Sequence, residues 1–219
     1  MKLPSRVSPI QHALQQHGPE WRDFGDARIA WRYESQAFAE PAAHALGLCD
    51  LSPLAKLGVK GPHTAAWLEE QGVPLPAAMF ETLPLEADGT IIRLGNDEFF
   101  LEDGLESSRL SQLDIKLGQG QSRVARVERQ EATFLLTGSR ALEVFAQTCA
   151  INFAALPTNQ VVMTRIAGVN VMVLPERGDN FYYYRLWVDP TFALSLWGSL
   201  AEITRQLGGQ IVGVAAVFG

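Results

Sequence analysis

The sequence predicts an α+β protein of mixed β-sheets with helices packed against them. Three observations carry that prediction. Two segments share the order apolar strand, one polar residue, glycine, helix: Leu57-Gly58-Val59-Lys60-Gly61 and Phe134-Leu135-Leu136-Thr137-Gly138, 77 residues apart. Glycine suits a strand that turns sharply into a helix, where the backbone needs positive φ. Two short apolar runs flank Gly95-Asn96-Asp97, a hairpin signal. An aromatic strand, residues 181–188, runs directly into a well-capped helix. Repeated β–α units mixed with hairpins argue for a mixed sheet and against a doubly wound parallel one.

The elements follow in order. Residues 1–26 read as an irregular N-terminal arm with one short helix. His12 and His17 are five apart and do not share a helical face. Residues 27–33 alternate as a strand around Ile29, Trp31 and Tyr33, and residues 40–49 carry Pro41 near the start of an Ala-rich helix that includes His44. A strand over 54–59, with Leu57 and Val59 on one face, stops at Gly61-Pro62. A helix then runs from His63-Thr64 to near Gly72. The hairpin strands are 90–94 and 98–101, a weak helix covers 105–113, and 123–136 form one long strand or two short ones. Arg123, Arg126 and Arg129, three apart, cannot all share a strand face and read as a solvated edge.

After the second glycine a helix covers 141–148, and strands over 161–174 break at Gly168. A turn at 176–180 precedes the aromatic strand. There Phe181, Tyr183, Arg185 and Trp187 share one face, and Tyr182, Tyr184, Leu186 and Val188 the other. Asp189 is a good N-cap with Pro190 at the first helical position, and Gly208 suits a left-handed C-terminal cap. The apolar stripe of this helix is Phe192, Leu196, Leu200 and Ile203, with Trp197 beside it. Residues 211–218 read as a closing strand. The repeated unit suggests an internal duplication, with pseudo-repeats at roughly 27–118 and 119–219.

Composition narrows the function. Eighteen Lys+Arg against 24 Asp+Glu give a net charge of −6 without a basic block, which excludes general nucleic-acid binding. No apolar run of about 20 residues can span a membrane, and the N-terminus lacks a signal-peptide core, so a cytoplasmic protein is expected. Charged residues are 19%, below the ~25% usual in soluble domains, leaving apolar surface for a core or a protein partner. Cys49 and Cys149, far apart, read as reduced thiols. Nucleotide-loop, zinc-protease and serine-hydrolase motifs are absent. The adjacent acids Asp97/Glu98 and Glu102/Asp103 point to opposite strand faces and read as solvated hairpin residues. No residue is singled out as catalytic and no metal site is expected.

Residues 47–62, Gly-Leu-Cys-Asp-Leu-Ser followed by Pro-Leu-Ala-Lys-Leu-Gly-Val-Lys-Gly-Pro, resemble the opening motif of the glycine-cleavage T-protein (aminomethyltransferase) family. Tyr33-Glu34-Ser35, the segment Leu85–Gly95 and the turn Gly138 with Ala141 are similar to later family segments, so the resemblance spans about 27–207. The short length and the segment Pro190-Thr191-Phe192-Ala193-Leu194-Ser195-Leu196-Trp197 look most like the gamma subunit of heterotetrameric sarcosine oxidase, which lacks the T-protein's C-terminal barrel. The resemblance implies a folate-binding-type domain, tetrahydrofolate as the cofactor to consider, and Asp88, Arg165 and Tyr183 as folate-binding candidates.

The departures bear on activity. Gly89-Thr90-Ile91-Ile92-Arg93 runs through the place where the family keeps an acidic pair. Arg165-Ile166-Ala167-Gly168 lacks the family's Tyr-Thr-Gly-Glu, and Tyr182-Tyr183 stand where a pterin-binding acid is expected. A pterin without its carboxylate leaves buried donors unpaired, at about 1–3 kcal/mol each. The resemblance therefore implies an accessory subunit, without intrinsic catalysis, that assembles with a flavin- and folate-handling partner in N-methyl amine oxidation. The alternative is a small tetrahydrofolate-dependent aminomethyl or methyl transferase with a rearranged pocket.

Overall fold

The computed structural model describes residues 5–33, 39–177 and 182–218. Its chain divides into two compact units. The first comprises Met1–Pro53, Glu131–Thr158 and Val162–Gly219; the second comprises Leu54–Gln130 with Asn159–Val161. The second is thus inserted into the first, and each unit holds one of the two strand–glycine–helix segments.

The N-terminal arm is not irregular. After helix α1 (Gln11–Gln15), strand β1 (Pro19–Phe24) pairs antiparallel with β2 (Ala27–Tyr33). Arg22 lies across the rings of Phe24 and Trp31, at 4.9 and 4.7 Å, and covers the apolar face of this ribbon. Helix α2 (Ala39–Leu46) ends earlier than its Ala-rich composition predicts. Gly47, Leu48, Cys49 and Asp50 instead form a fully buried strand, β3 (Gly47–Asp50). Four buried residues without alternation give no period-2 pattern to read.

The six-stranded sheet of the first unit has the order β10-β11-β12-β9-β3-β13, with β9 (Ala132–Thr137), β10 (Val162–Ile166), β11 (Val169–Arg177), β12 (Tyr182–Val188) and β13 (Gln210–Ile211). All pairs are antiparallel except β13 with β3. Phe134, Leu136, Tyr184, Leu186 and Val188 project from one face into a core shared with Val144 and Phe145 of α5 (Ala141–Thr148) and Leu196, Trp197 and Leu200 of α6 (Ala193–Gln206). Phe145 meets Tyr184 edge-on at 4.9 Å, and Phe134 meets Trp197 at 5.1 Å. Glu34, Ser35, most of the 176–180 turn and Phe181 fall outside the described residues.

Three C-terminal expectations are corrected. The Asp189 carboxylate accepts from the backbone N–H and hydroxyl of Thr191, and this caps a 3-10 turn, Pro190–Phe192, instead of α6 itself. The turn swings Phe192 outward, leaving it 54% exposed, while Thr204 takes a buried place on the inner side of α6. The closing segment is not one strand. Val212 and Val214 donate to Leu48 and Ala30, a Cβ on Gly213 comes within 2.3 Å of the Trp31 carbonyl, and the chain then turns into α7 (Ala215–Phe218).

The second unit carries a five-stranded antiparallel sheet ordered β5-β6-β7-β4-β8, from β4 (Lys56–Lys60), β5 (Thr82–Pro84), β6 (Thr90–Gly95), β7 (Glu98–Glu102) and β8 (Ala125–Val127). Leu57, Val59, Ile91, Phe99 and Leu101 pack on Trp67 and Leu68 of α3 (Thr64–Glu70) and on Leu110 and Leu113 of α4 (Arg109–Gly118). Helix α4 starts later than predicted, because residues 103–108 are held in a turn by Asp103. Residues 123–136 split into the two short strands β8 and β9.

Both strand–helix glycines are required by sterics. Gly61 has φ +131, and a Cβ there falls 2.2 Å from the Arg123 carbonyl oxygen. Gly138 has φ +101, and a Cβ there falls 2.5 Å from the Ala45 backbone. Substitution Gly138→Ala should destabilise the protein by roughly 3 kcal/mol. The urea midpoint should fall accordingly, with unchanged far-UV circular dichroism in the folded baseline. An unchanged midpoint would contradict the packing described.

Candidate functional site

The motif Asp50-Leu51-Ser52 lies at the end of β3, and all three residues are buried. The Ser52 hydroxyl donates to Asp50 Oδ1 at 2.5 Å and accepts from Thr133 N–H at 3.1 Å, while Leu51 N–H donates to the Thr133 carbonyl at 2.8 Å. The pair therefore stitches β3 to the start of β9. Burial, reinforced by the adjacent Asp50, pushes the Cys49 thiol well above its ordinary range, so it stays protonated and unreactive. Burial does the same to the Tyr33 phenol, helped by Cys49 and Asp50.

Glu102 and Asp103 are not solvated. Their side chains do alternate, but β7 is flanked by both β4 and β6, and both acids are enclosed. Glu102 sits opposite Lys56 in register, with Nζ 3.3 Å from Oε2 and both side chains buried. Asp103 accepts from the Ser107 hydroxyl at 2.7 Å and Leu110 N–H at 3.1 Å. In the first unit, fully buried Arg185 places Nε 3.0 Å from Glu176 Oε2. Of the other acidic pair, Asp97 is exposed and Glu98 bonds Arg129 at 2.8 Å.

Arg93, near the end of β6, is saturated by backbone. It donates to the carbonyls of Pro76 and Ala77 (3.2 Å each), Gly95 (3.3 Å) and Asn96 (2.9 Å). Its guanidinium is a clamp for two loops.

The structure does not bring Arg165 and Tyr183 together. Arg165 is exposed on β10 and donates to the Gly168 carbonyl in its own hairpin at 2.7 Å. Tyr183 is half-buried on β12, opposite Glu176 and edge-on to Phe218 at 6.5 Å. Arg165 pairs with Asn170, six positions from Glu176 along β11, so the two residues are about 20 Å apart. Asp88 lies in the second unit, exposed in a turn at φ +64. Sequence reading passed over the Lys56–Glu102 and Arg185–Glu176 pairs. Only strand register reveals the first; a lone arginine within an aromatic strand was a legible sign of the second.

Two clefts remain. One, of about 540 Å³ in the first unit, is bounded by His17, Tyr33, Gly198, Glu202, Thr204 and Arg205. The other, about 700 Å³ in the second unit, opens at the Gly61 turn between Lys60, Asp97 and Arg123. Among the described residues no three His, Cys, Asp or Glu side chains gather where a metal could be held, and no helix is long and apolar enough to cross a membrane.

No protein-family model matches the chain. It is similar to an aminomethyltransferase of Saccharopolyspora erythraea, 20% identical over 229 aligned residues that cover 96% of this chain and 61% of that protein. Among solved structures it is similar to the glycine cleavage system aminomethyltransferase T of Bartonella henselae, with TM-score 0.75, 17% identity, and coverage of 96% of this chain and 60% of that one. It is also similar to a chain of the heterotetrameric sarcosine oxidase of Corynebacterium sp. U-96, with TM-score 0.65, 21% identity, and coverage of 92% and 96%. The chain has the fold these proteins share, and it spans about three-fifths of the aminomethyltransferases it matches.

Removing one partner of a buried ion pair leaves the other uncompensated. Glu102→Gln should destabilise the protein by about 3 kcal/mol, read from urea denaturation, whereas Lys56→Met with Glu102→Leu should recover most of that loss. Equal losses in both variants would refute the pairing.

Proposed function

We propose that the chain is an accessory subunit of the sarcosine-oxidase-gamma type, assembling with a larger flavin- and folate-handling partner in N-methyl amine oxidation and contributing no catalytic group. The observation that carries this reading is the breadth of one match. The chain covers 96% of the sarcosine oxidase chain but only 60% of aminomethyltransferase T. The segment 190–197, which resembles the gamma subunit, also exposes two large apolar side chains, Phe192 at 54% and Leu194 at 61%. Such groups suit a protein interface. The buried charged side chains are engaged with one another or with backbone, which supports a structural role for them.

Co-expression with flavoprotein subunits from the source organism should yield a stable complex by size-exclusion chromatography. Phe192→Asp with Leu194→Asp should abolish co-elution while leaving the circular dichroism unchanged. A lone monomer in every such preparation would overturn the subunit reading. Calorimetric titration of the isolated chain with tetrahydrofolate should show no binding up to high micromolar ligand. Binding there would favour a small tetrahydrofolate-dependent transferase instead.

A further inference from the structure

The turn that leads from α3 into β5 holds an arrangement the fold alone does not call for. Phe80 has φ +65, in the left-handed region. A bulky side chain is an outlier there and persists only where its surroundings fix the backbone. Here they do. Arg93 Nη1 donates to the carbonyls of Pro76 and Ala77 at 3.2 Å each. The Ala78 amide donates to Glu81 Oε2 at 2.8 Å, and the Glu81 amide to the Ala78 carbonyl at 3.2 Å. The Phe80 amide donates to the Arg93 carbonyl at 2.7 Å, and its own carbonyl accepts from the Val161 amide at 2.8 Å.

What this scaffolding displays is apolar. Ala77, Ala78, Met79 and Phe80 are all exposed, Met79 at 49% and Phe80 at 36%. Backbone strain that holds an aromatic ring at the surface points to a use for that ring. Most polar groups of the turn are already bonded within the unit, so apolar area is what it has to offer.

We propose that residues 77–80 form a preformed anchor that enters an uncharged, apolar socket on the larger flavoprotein partner. The inference rests on the subunit reading above. It adds a contact in the second unit to the one made by Phe192 and Leu194 in the first. Rigidity suits an anchor, because little of the turn is left to be ordered on binding. Aromatic and methionine side chains are enriched in interface cores. A second copy of this chain is a poor host: the clefts described above are rimmed by Lys60, Asp97 and Arg123 or by His17, Glu202 and Arg205, and an apolar plug would strip those charges of water. A lipid surface fits no better. Membrane-seeking segments carry basic residues free to meet anionic headgroups, whereas Arg93 is turned onto carbonyls and Glu81 adds a carboxylate to the same turn.

The test is calorimetric titration of the source organism's flavoprotein subunits with the full chain, wild type or variant. Phe80→Asn keeps a residue that tolerates positive φ and removes the ring. Met79→Ser alters an exposed side chain. Both variants should melt close to the wild type. Phe80→Asn should weaken the complex by about tenfold or more, and Met79→Ser by about threefold. Ile115→Ser changes a 63% exposed residue of the same unit and should leave affinity unchanged. A complex that tolerates both Phe80→Asn and Met79→Ser, or loses as much with Ile115→Ser, overturns this inference and leaves the subunit reading standing. A wild-type chain that forms no complex overturns both. If Phe80→Asn instead abolishes self-association or binding to phosphatidylserine vesicles, with the complex intact, the turn belongs to that occupant and the proposal fails.

Discussion

The fold turns on a small knot of hydrogen bonds at Ser52 and Thr133. The chain leaves the first unit after Pro53 and re-enters it at Glu131, so the outgoing and returning strands must be held side by side at that point. Asp50 orients the Ser52 hydroxyl, Ser52 takes the Thr133 amide, and Leu51 gives its own amide back to the same residue. Seventy-seven residues are thereby looped out without disturbing the sheet that β3 and β9 share. A short polar motif buried this deeply is costly unless every group is matched, and here the match is local and reciprocal.

The same economy governs the charges. Lys56 with Glu102, Arg185 with Glu176, Asp103 with the start of α4, and Arg93 with four carbonyls are each consumed by the scaffold. A catalytic acid or base needs an approachable proton and a matched pKa. These groups are instead committed to register and loop anchoring.

Sequence patterning reached the fold class through features with strong local physics. Gly61 and Gly138 marked backbone that only glycine can adopt, the Asn96-Asp97 turn marked a hairpin, and the run 182–188 marked a strand. It failed where tertiary context decided. Strand β3 carries no alternation because both of its faces are covered. The 3-10 turn after Asp189 rotated the α6 stripe away from Phe192. Glu102 and Asp103 look like surface acids until β4 and β6 are placed on either side of β7. For the site, similarity to a known family drew attention to Asp88, Arg165 and Tyr183. The strand register places Arg165 and Tyr183 far apart, and the pairing partners of the buried ions lie too distant in sequence for spacing to reveal.

The insertion also sets an order of events during synthesis. Nearly all of the second unit is contiguous, residues 54–130, and can close as soon as it clears the ribosome. The first unit cannot. Strand β3, with Leu48 and Cys49 on display, waits for β9, and the helices that cover the sheet come later still. Once residue 130 is made, the nascent chain therefore carries a ready-made second unit beside a sticky, half-built first one. That interval is when a chaperone has something to hold.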